Sequence, residues 1–397
     1  MSGSWKPVRR LRTGLSCIGR YLLALLVSSP LLLTPASAEA GKWNFVFLSD
    51  TQDPAWGPWM NTNIMTELAL AITNERPAFV LFGGDQANYV QPAVPPAWTN
   101  IMAPLYSAGI PIYAVLGNHD FYEIPGFVDA FGPTHPDNGP SGDVDLTYAV
   151  THENALVLAL GAFNPTNTYR VNQAWVDSVL ATNEQLHVFA FSHPPAFKLI
   201  HSDCLGTYPA QRDELWRSLT RAGCRMYFCG HDHVYDHARL DDGDGNPDND
   251  LHQFIVGTGG SAFYPDSVYD GANGMWTPVR IQHEVDYGYM LVEVDGEVVT
   301  ARWMKRIAPS VFEPSADVFS YVARRPHLLR VRPSKERLTL VWNTPAILQA
   351  SPELTGGWTN IPSASSPYPI ERAQHQRLFF RLVVPQAGAS WSPAHTY

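Results

Sequence analysis

Five short apolar runs of this chain each end in side chains that can hold a cation or move a proton. Trp43–Leu48 is followed by Asp50 and Gln52, Ala78–Phe82 by Asp85, and Pro111–Leu116 by Asn118, His119 and Asp120. His187–Phe191 is followed by His193, and Arg225–Cys229 by Gly230-His231-Asp232-His233. Two histidines at i and i+2 directly after a strand can turn both imidazoles to one point beyond the sheet edge, where ligands bind in α/β folds. Carboxylates, amide oxygens and imidazoles together suit iron, manganese or zinc, and the lack of thiolates argues against a structural zinc site. A carboxylate shared by two cations bridges them, the arrangement of two-metal phosphoryl chemistry.

Those residues need elements to bring them together, and the chain supplies strands alternating with helices. A helical spacing runs through Ile64, Leu68, Ala71 and Ile72 and stops before Pro77. Further helices are predicted around Trp98 to Ser107, Gln173 to Thr182 and Ala210 to Arg221, with strands at Leu146 to Val150 and Ala155 to Leu160. After His233 the pattern turns to strands at Tyr235 to Leu240, His252 to Val256, Gly288 to Val294 and Val298 to Lys305. The order indicates an α/β architecture. Between two of these strands, Asp242, Asp244, Asn246, Asp248 and Asp250 space their oxygens like half of a calcium loop, but Gln253 stands where a bidentate Glu is required. A solvated hairpin tip is the favoured reading.

Residues 1–38 differ in kind. Basic residues from Lys6 to Arg20 precede the apolar runs Tyr21–Val27 and Leu31–Leu33, which lead to Ala36-Ser37-Ala38. This is the layout of a secretory signal peptide cleaved after Ala38, and Ser28-Ser29-Pro30 breaks the apolar run short of the ~20 residues a membrane span needs. The expectation is a secreted, periplasmic or cell-surface protein with no stable membrane span after cleavage. The full chain carries −10, and the segment takes five basic and no acidic residues with it, leaving −15. Such acidity argues against nucleic acid as a partner. Cys204, Cys224 and Cys229 remain, an odd number that permits one disulfide, and strand spacing favours Cys204 with Cys224.

Residues 39–323 are expected to form the catalytic domain and 324–397 a smaller β-sandwich-like module. In the latter, Leu338, Leu340 and Trp342 share a strand face, and short apolar runs follow between Pro and Gly turns. Its Leu348-Gln349, Ser351-Pro352, Leu354-Thr355-Gly356, Trp358 and closing Phe379-Phe380-Arg381-Leu382 resemble a C-terminal module appended to many exported bacterial proteins. It carries no catalytic constellation, and spacing, surface association or sorting is its expected role.

The ordered set Asp50-x-Gln52, Gly83-Gly84-Asp85, Gly117-Asn118-His119-Asp120, Ser192-His193-Pro194-Pro195 and Gly230-His231-Asp232-His233 resembles the calcineurin-like metallophosphoesterase family, nearest its purple acid phosphatase branch, over roughly residues 42–305. The resemblance implies an αββα sandwich and two divalent or trivalent metal ions (Fe, Mn or Zn) serving a small phosphoester substrate. It places Asp50, Gln52, Asp85 and His233 on one metal, and Asp85, Asn118, His193 and His231 on the other. Asp85 becomes the bridge, His119 the group that protonates the leaving oxygen or steadies the transition state, and Asp120 its orienter.

Two departures stand out. Most of the family has His where Gln52 stands, and the purple branch has Gly there with a Tyr ligand three residues after the bridging Asp. Here Tyr89 comes four residues after Asp85. Gln52 is favoured as a ligand through its amide oxygen. It also motivates a rival reading, a cell-surface binding protein whose metal site has lost activity, which intact His119 opposes. His201 is the candidate substrate-facing group. His135, His152, His187, His237, His252 and His283 read as surface or internally satisfied, and Trp56, Trp59 and Tyr122 as candidates for the pocket lining.

Overall fold

In β1 (Trp43–Leu48) successive side chains enter different cores: Phe45 and Phe47 join one apolar cluster, Val46 and Leu48 another. A strand buried on both faces reads as a continuous apolar run. The computed structural model describes residues 41–57, 59–165, 167–270, 274–323, 330–333, 337–342, 347–353, 355–371 and 378–383. The signal-like segment, Leu354 and Arg377 lie outside them. After β1 come α1 (Thr62–Glu75), β2 (Val80–Phe82), α2 (Val94–Ile101), α3 (Ala103–Ser107), β3 (Ile112–Ala114) and α4 (Ile124–Phe131). Next are β4 (Tyr148–His152), β5 (Ala155–Ala159), α5 (Gln173–Thr182), β6 (His187–Phe191), α6 (Pro209–Arg221) and β7 (Met226–Cys229). The strands β8 (Tyr235–Asp241), β9 (Leu251–Val256), β10 (Thr277–Glu284), β11 (Gly288–Asp295), β12 (Val298–Ala308) and β13 (Val311–Val322) complete the larger fold.

Six strands form one sheet in the order β13-β12-β11-β1-β2-β3, and seven form a second in the order β10-β8-β9-β7-β6-β5-β4. Between the sheets lies an aromatic-rich core that includes Phe45, Phe47, Phe79, Phe189, Phe191, Phe228 and Trp303. Phe45 stacks on Phe79 at 5.2 Å and Phe47 on Phe228 at 5.4 Å between ring centroids. Truncating any of these rings to Ala would cost ~3–5 kcal/mol. Helices α1 to α4 cover the outer face of the first sheet, with Trp98 and Leu68 against Val80 and Phe82. Helices α5 and α6 cover the second through Trp175, Trp216 and Leu219. The result is the expected αββα layering. β1, β2 and β3 run parallel, as do β5, β6, β7 and β9, so the ligand-bearing ends of β1, β2 and β3 share one edge and those of β6 and β7 another.

Two strands of the larger fold, β10 and β13, have no counterpart among those expected from the sequence. Each is the outermost strand of its sheet and contains a proline, Pro278 or Pro314. Proline is tolerated at such an edge because one row of N–H groups has no neighbour to meet. Asp241 to Asp250 is a hairpin tip between β8 and β9, stitched by its own Asx contacts, such as Asp244 N–H to Asp242 Oδ1 at 2.9 Å. Gln253 has turned inward, where its Oε1 accepts from the Ala196 and Phe197 amides.

The expected disulfide does not form. Cys204, Cys224 and Cys229 are all free and buried. Cys224 precedes β7 instead of lying within it, so strand alternation does not apply, and it packs in the same cluster as Cys229. Burial pushes the Cys204 thiol up to about 11 and Cys224 to about 12, which keeps both as unreactive thiols.

The C-terminal region is β-rich. β14 (Arg330–Pro333), β15 (Arg337–Val341) and β18 (Tyr368–Glu371) form one three-stranded sheet. β16 (Ile347–Ser351), β17 (Thr359–Asn360) and β19 (Phe379–Val383) form another. Leu340, Trp342 and Leu348 are its small buried cluster. Among the described residues no helix is long and apolar enough to cross a membrane.

Candidate metal centre

Three of the candidate ligands, Asp50 (φ 63°), Asp85 (φ 61°) and His231 (φ 69°), hold left-handed backbone conformations. Such geometry is costly for residues with a Cβ and persists only where surrounding structure enforces it. The glycines beside them permit the close approach. A Cβ on Gly117 would lie 2.0 Å from Asp85 Oδ1, and one on Gly230 would lie 2.1 Å from Asp50 Oδ2. Gly-Asn-His-Asp and Gly-His-Asp-His thus begin with glycine because a carboxylate from another strand occupies the space a side chain would need.

The buried ligand atoms fall into two groups, Asp50 with Asp85 and His233, and Asp85 with His193 and His231. Within each group the atoms lie within 4.8 Å of one another, and Asp85 belongs to both. Each imidazole is pinned by the nitrogen that faces away. His193 Nδ1 meets the Gly83 carbonyl at 2.8 Å, His233 Nδ1 the Ala262 carbonyl at 2.9 Å, and His231 Nε2 the Asp203 carboxylate at 3.1 Å. This outer contact fixes the ring and leaves the inner nitrogen to a cation. Asn118 Oδ1 lies 3.0 Å from both His193 Nε2 and His231 Nδ1, at the centre of the second group.

Burial alone would raise the Asp85 carboxyl, but His193 and His119 outweigh it and hold the group below the usual carboxylate range. Burial would lower His193, yet Asp85 pushes it up to about 9. The pocket therefore calls for positive charge. Two buried carboxylates with converging imidazole nitrogens and an amide oxygen are a donor set that fits two cations.

Residues 44–235 match the family model described as calcineurin-like phosphoesterase. Those residues form a calcineurin-like phosphoesterase domain. It is accordingly a hydrolase of phosphoester bonds, and the family implies a dinuclear metal centre. No curated protein matches the sequence. Among solved structures, a purple acid phosphatase from yellow lupin seeds superposes with a TM-score of 0.52 at 16% identity, over 71% of this chain. The match spans only 54% of that longer protein. An anchor protein of the Plasmodium inner membrane complex gives 0.46 at 16% identity, covering 72% of this chain and 90% of its own. A dimetal phosphatase from Danio rerio gives 0.47 at 12% identity, with 71% and 99% covered.

Within this phosphoesterase site, Gln52 is buried beside the shared carboxylate. Its Nε2 donates to Asp85 Oδ2 at 2.8 Å, while its Oε1 accepts from the Ser261 hydroxyl. Tyr89 is 63% exposed and makes no hydrogen bond among the described residues, so it does not complete the first group. His119 is partly buried, with Nδ1 against the Asn88 carbonyl at 2.6 Å and Nε2 3.9 Å from Asp85 Oδ2. Asn88 is thus its orienter, which corrects the role expected of Asp120. The Asp120 carboxylate is fully buried and accepts from the backbone N–H groups of Asp85 (2.7 Å), Gly117 (2.9 Å) and Gln86 (3.1 Å). Burial and the neighbouring Asp85 charge push it up to about 6. Asp120 shapes the loop that presents Asp85.

Among the neighbours of the cluster, Tyr264 and Phe163 carry no sequence signal, whereas His201 and Trp56 are expected near it. Asp232, the third residue of Gly-His-Asp-His, turns away from the cluster and binds His201 Nδ1 at 2.6 Å and its backbone N–H at 3.1 Å. His201 lies 4.6 Å from the His231 ring and 4.8 Å from Tyr264. Burial lowers His201, but Asp232 outweighs it and raises the group overall. Tyr264 stacks on His233 at 4.6 Å, and Phe163 meets His193 edge-on at 5.4 Å. Of the three aromatic residues expected near the pocket, Trp56 is the one with a ring contact to the cluster, 6.3 Å from both His233 and Tyr264.

Proposed function

We propose that this protein is an exported metal-dependent phosphoesterase that hydrolyses phosphomonoesters or small phosphodiesters. The observation that supports this best is the pair of ligand groups sharing Asp85, with the open nitrogen of His119 beside the shared carboxylate. Asp50, Asp85 and His233 would hold one cation and Asp85, Asn118, His193 and His231 the other, with Gln52 as the candidate fourth ligand of the first. When bound, such a pair supplies Lewis acidity and an acidified water.

The chain's own residues do the rest. Asp120 and Gly117 hold the Asp85 loop in its strained form, so the shared carboxylate needs no reorganisation when substrate arrives. His119, whose Nδ1–H donates to the Asn88 carbonyl, keeps Nε2 for the leaving oxygen and, as the imidazolium, delivers the Nε2 proton to it as the P–O bond breaks, returning to the neutral ring. His201, pinned at Nδ1 by Asp232, presents a second imidazole on the other flank. Trp56 and Tyr264 give the mouth an apolar wall against which the alcohol portion can rest.

Export is supported by the layout of residues 1–38, and the strongly acidic composition favours a small substrate over nucleic acid. The test is hydrolysis of a chromogenic phosphoester by purified protein, expected to vanish on chelation and return on adding manganese, zinc or iron. Metal binding without turnover of any phosphoester would favour the rival, a metal-binding surface protein without activity.

A further inference from the structure

A cavity of about 1020 Å³ lies at the opposite end of β7 and β9 from the metal cluster. Arg225 stands just before β7, six residues ahead of His231, which corresponds to ~20 Å at strand rise. Arg221, Arg225, Arg239, His252, Phe319 and Tyr321 are among its walls. Three arginines around one cavity are unexpected in a chain of net charge −10. Arg239 is committed, paired with Asp250 and with Asp241 at 3.2 Å.

Arg225 is not. Among the described residues its guanidinium has no hydrogen bond or ion pair, while its backbone carbonyl accepts from the His252 N–H at 3.0 Å and the residue is partly buried. The Tyr321 hydroxyl is buried without a partner. A buried donor left unpaired costs ~1–3 kcal/mol, and the Tyr321 hydroxyl is such a donor, set beside the partly buried Arg225 guanidinium. A third polar group arrives through the core. Asp317 Oδ2 accepts from Tyr235 and meets His237 Nδ1, both at 2.7 Å, and His237 Nε2 meets His252 Nδ1 at 2.8 Å. The chain ends at the cavity, where His252 Nε2 has no partner among the described residues and can offer a proton or a lone pair according to tautomer.

We propose that this cavity is a binding site for a small oxyanion, a phosphate or a carboxylate, held by the Arg225 guanidinium and the Tyr321 hydroxyl. A planar guanidinium presents paired N–H donors that match two oxygens of such an anion, and the phenol supplies a further donor. Arg221 on the rim adds attraction. Asp248 also lines the cavity, on the exposed hairpin tip, and is the internal competitor for Arg225. None of these residues belongs to the metal cluster, so the site does not depend on the proposed activity.

The test is calorimetric titration of the full-length, metal-loaded protein with inorganic phosphate and, separately, with malonate. Phosphate also meets the metal centre as a product, so the expected wild-type result is two binding events, of which Arg225→Met keeps one with unchanged turnover. Tyr321→Phe, which removes one oxygen atom and leaves the ring, should weaken the second event by about tenfold and serves if Arg225→Met does not fold. A second event with phosphate identifies inorganic phosphate as the occupant, and one with malonate alone identifies an organic acid. A single event for both anions, as when Asp248 closes on Arg225, overturns the proposal, and so does a second event that neither variant changes.

Discussion

The two halves of the metal cluster are built to different standards. Around Asp85, His193 and His231 every ring is held from behind, by the Gly83 carbonyl or the Asp203 carboxylate, and Asn118 Oδ1 sits between the two imidazoles. Around Asp50 and His233 the fourth position belongs to Gln52, whose amide is engaged by Asp85 and Ser261. The second group is therefore organised before a cation arrives, whereas the first has to rearrange one side chain to complete itself. Preorganisation of this kind favours tight binding, because ordering costs are met during folding. The expected consequence is a tightly held second metal and a more exchangeable first one.

The most severe way to break this comparison is to remove the shared residue. Asp85→Ala takes a ligand from both groups and the acceptor of the His119 amide, so both metals and turnover should be lost, the latter beyond about 10⁴-fold. Metal content by elemental analysis is the check, with far-UV circular dichroism to show that the fold survives. His119→Ala removes no ligand from either group, and turnover should fall by ~10²–10⁴ with metal content intact, least for substrates whose leaving group needs no proton. His201→Ala, measured beside it, reveals which flank donates the proton. Asp203→Asn affects the second group alone. His231 holds the Asp203 carboxyl down to about 2, and the neutral amide gives up that charge-assisted contact. A loss of ~10–100-fold in affinity at the second site is expected, with the first site unchanged.

The legible parts of this molecule were those encoded within a few residues. A strand buried on both faces announces itself as an apolar run, and a ligand set at its end needs only the next few positions, as with Asp50 after Leu48 or His231 after Cys229. That locality is why the five residues of the two buried groups stood out in the sequence as candidate ligands, whereas the four layers were implied by the family resemblance. Tyr264, Asp203, Phe163 and Ser261 come from loops with no period, and their places depend on where distant chain ends meet. Asp120 shows the limit within a motif: its neighbour is obvious, but its backbone partners lie across a loop from Asp85 to Gly117. Proline hid β10 and β13, because edge strands tolerate what central strands exclude. Cys224 misled for a related reason, since alternation holds only inside a strand.

The smallest effect is expected at Gln52, where the comparison is sharpest. In the arrangement described, the Gln52 NH₂ faces Asp85, and an NH₂ cannot ligate a cation. Rotating the amide by 180° would bring Oε1 to that position and Nε2 to Ser261, whose hydroxyl can accept as readily as it donates. Asp85 would lose one donor and gain a cation, so the rotation leaves no group unpaired. An amide oxygen is a harder donor than an imidazole and should turn the first site from zinc towards manganese or iron. Gln52→His should then move that preference back towards zinc, and Gln52→Ala should weaken the first site several-fold while the second keeps its metal. Competition dialysis with manganese and zinc reads both. If neither variant alters the metal bound at the first site, Gln52 serves only to position Asp85, and the first group is completed without it.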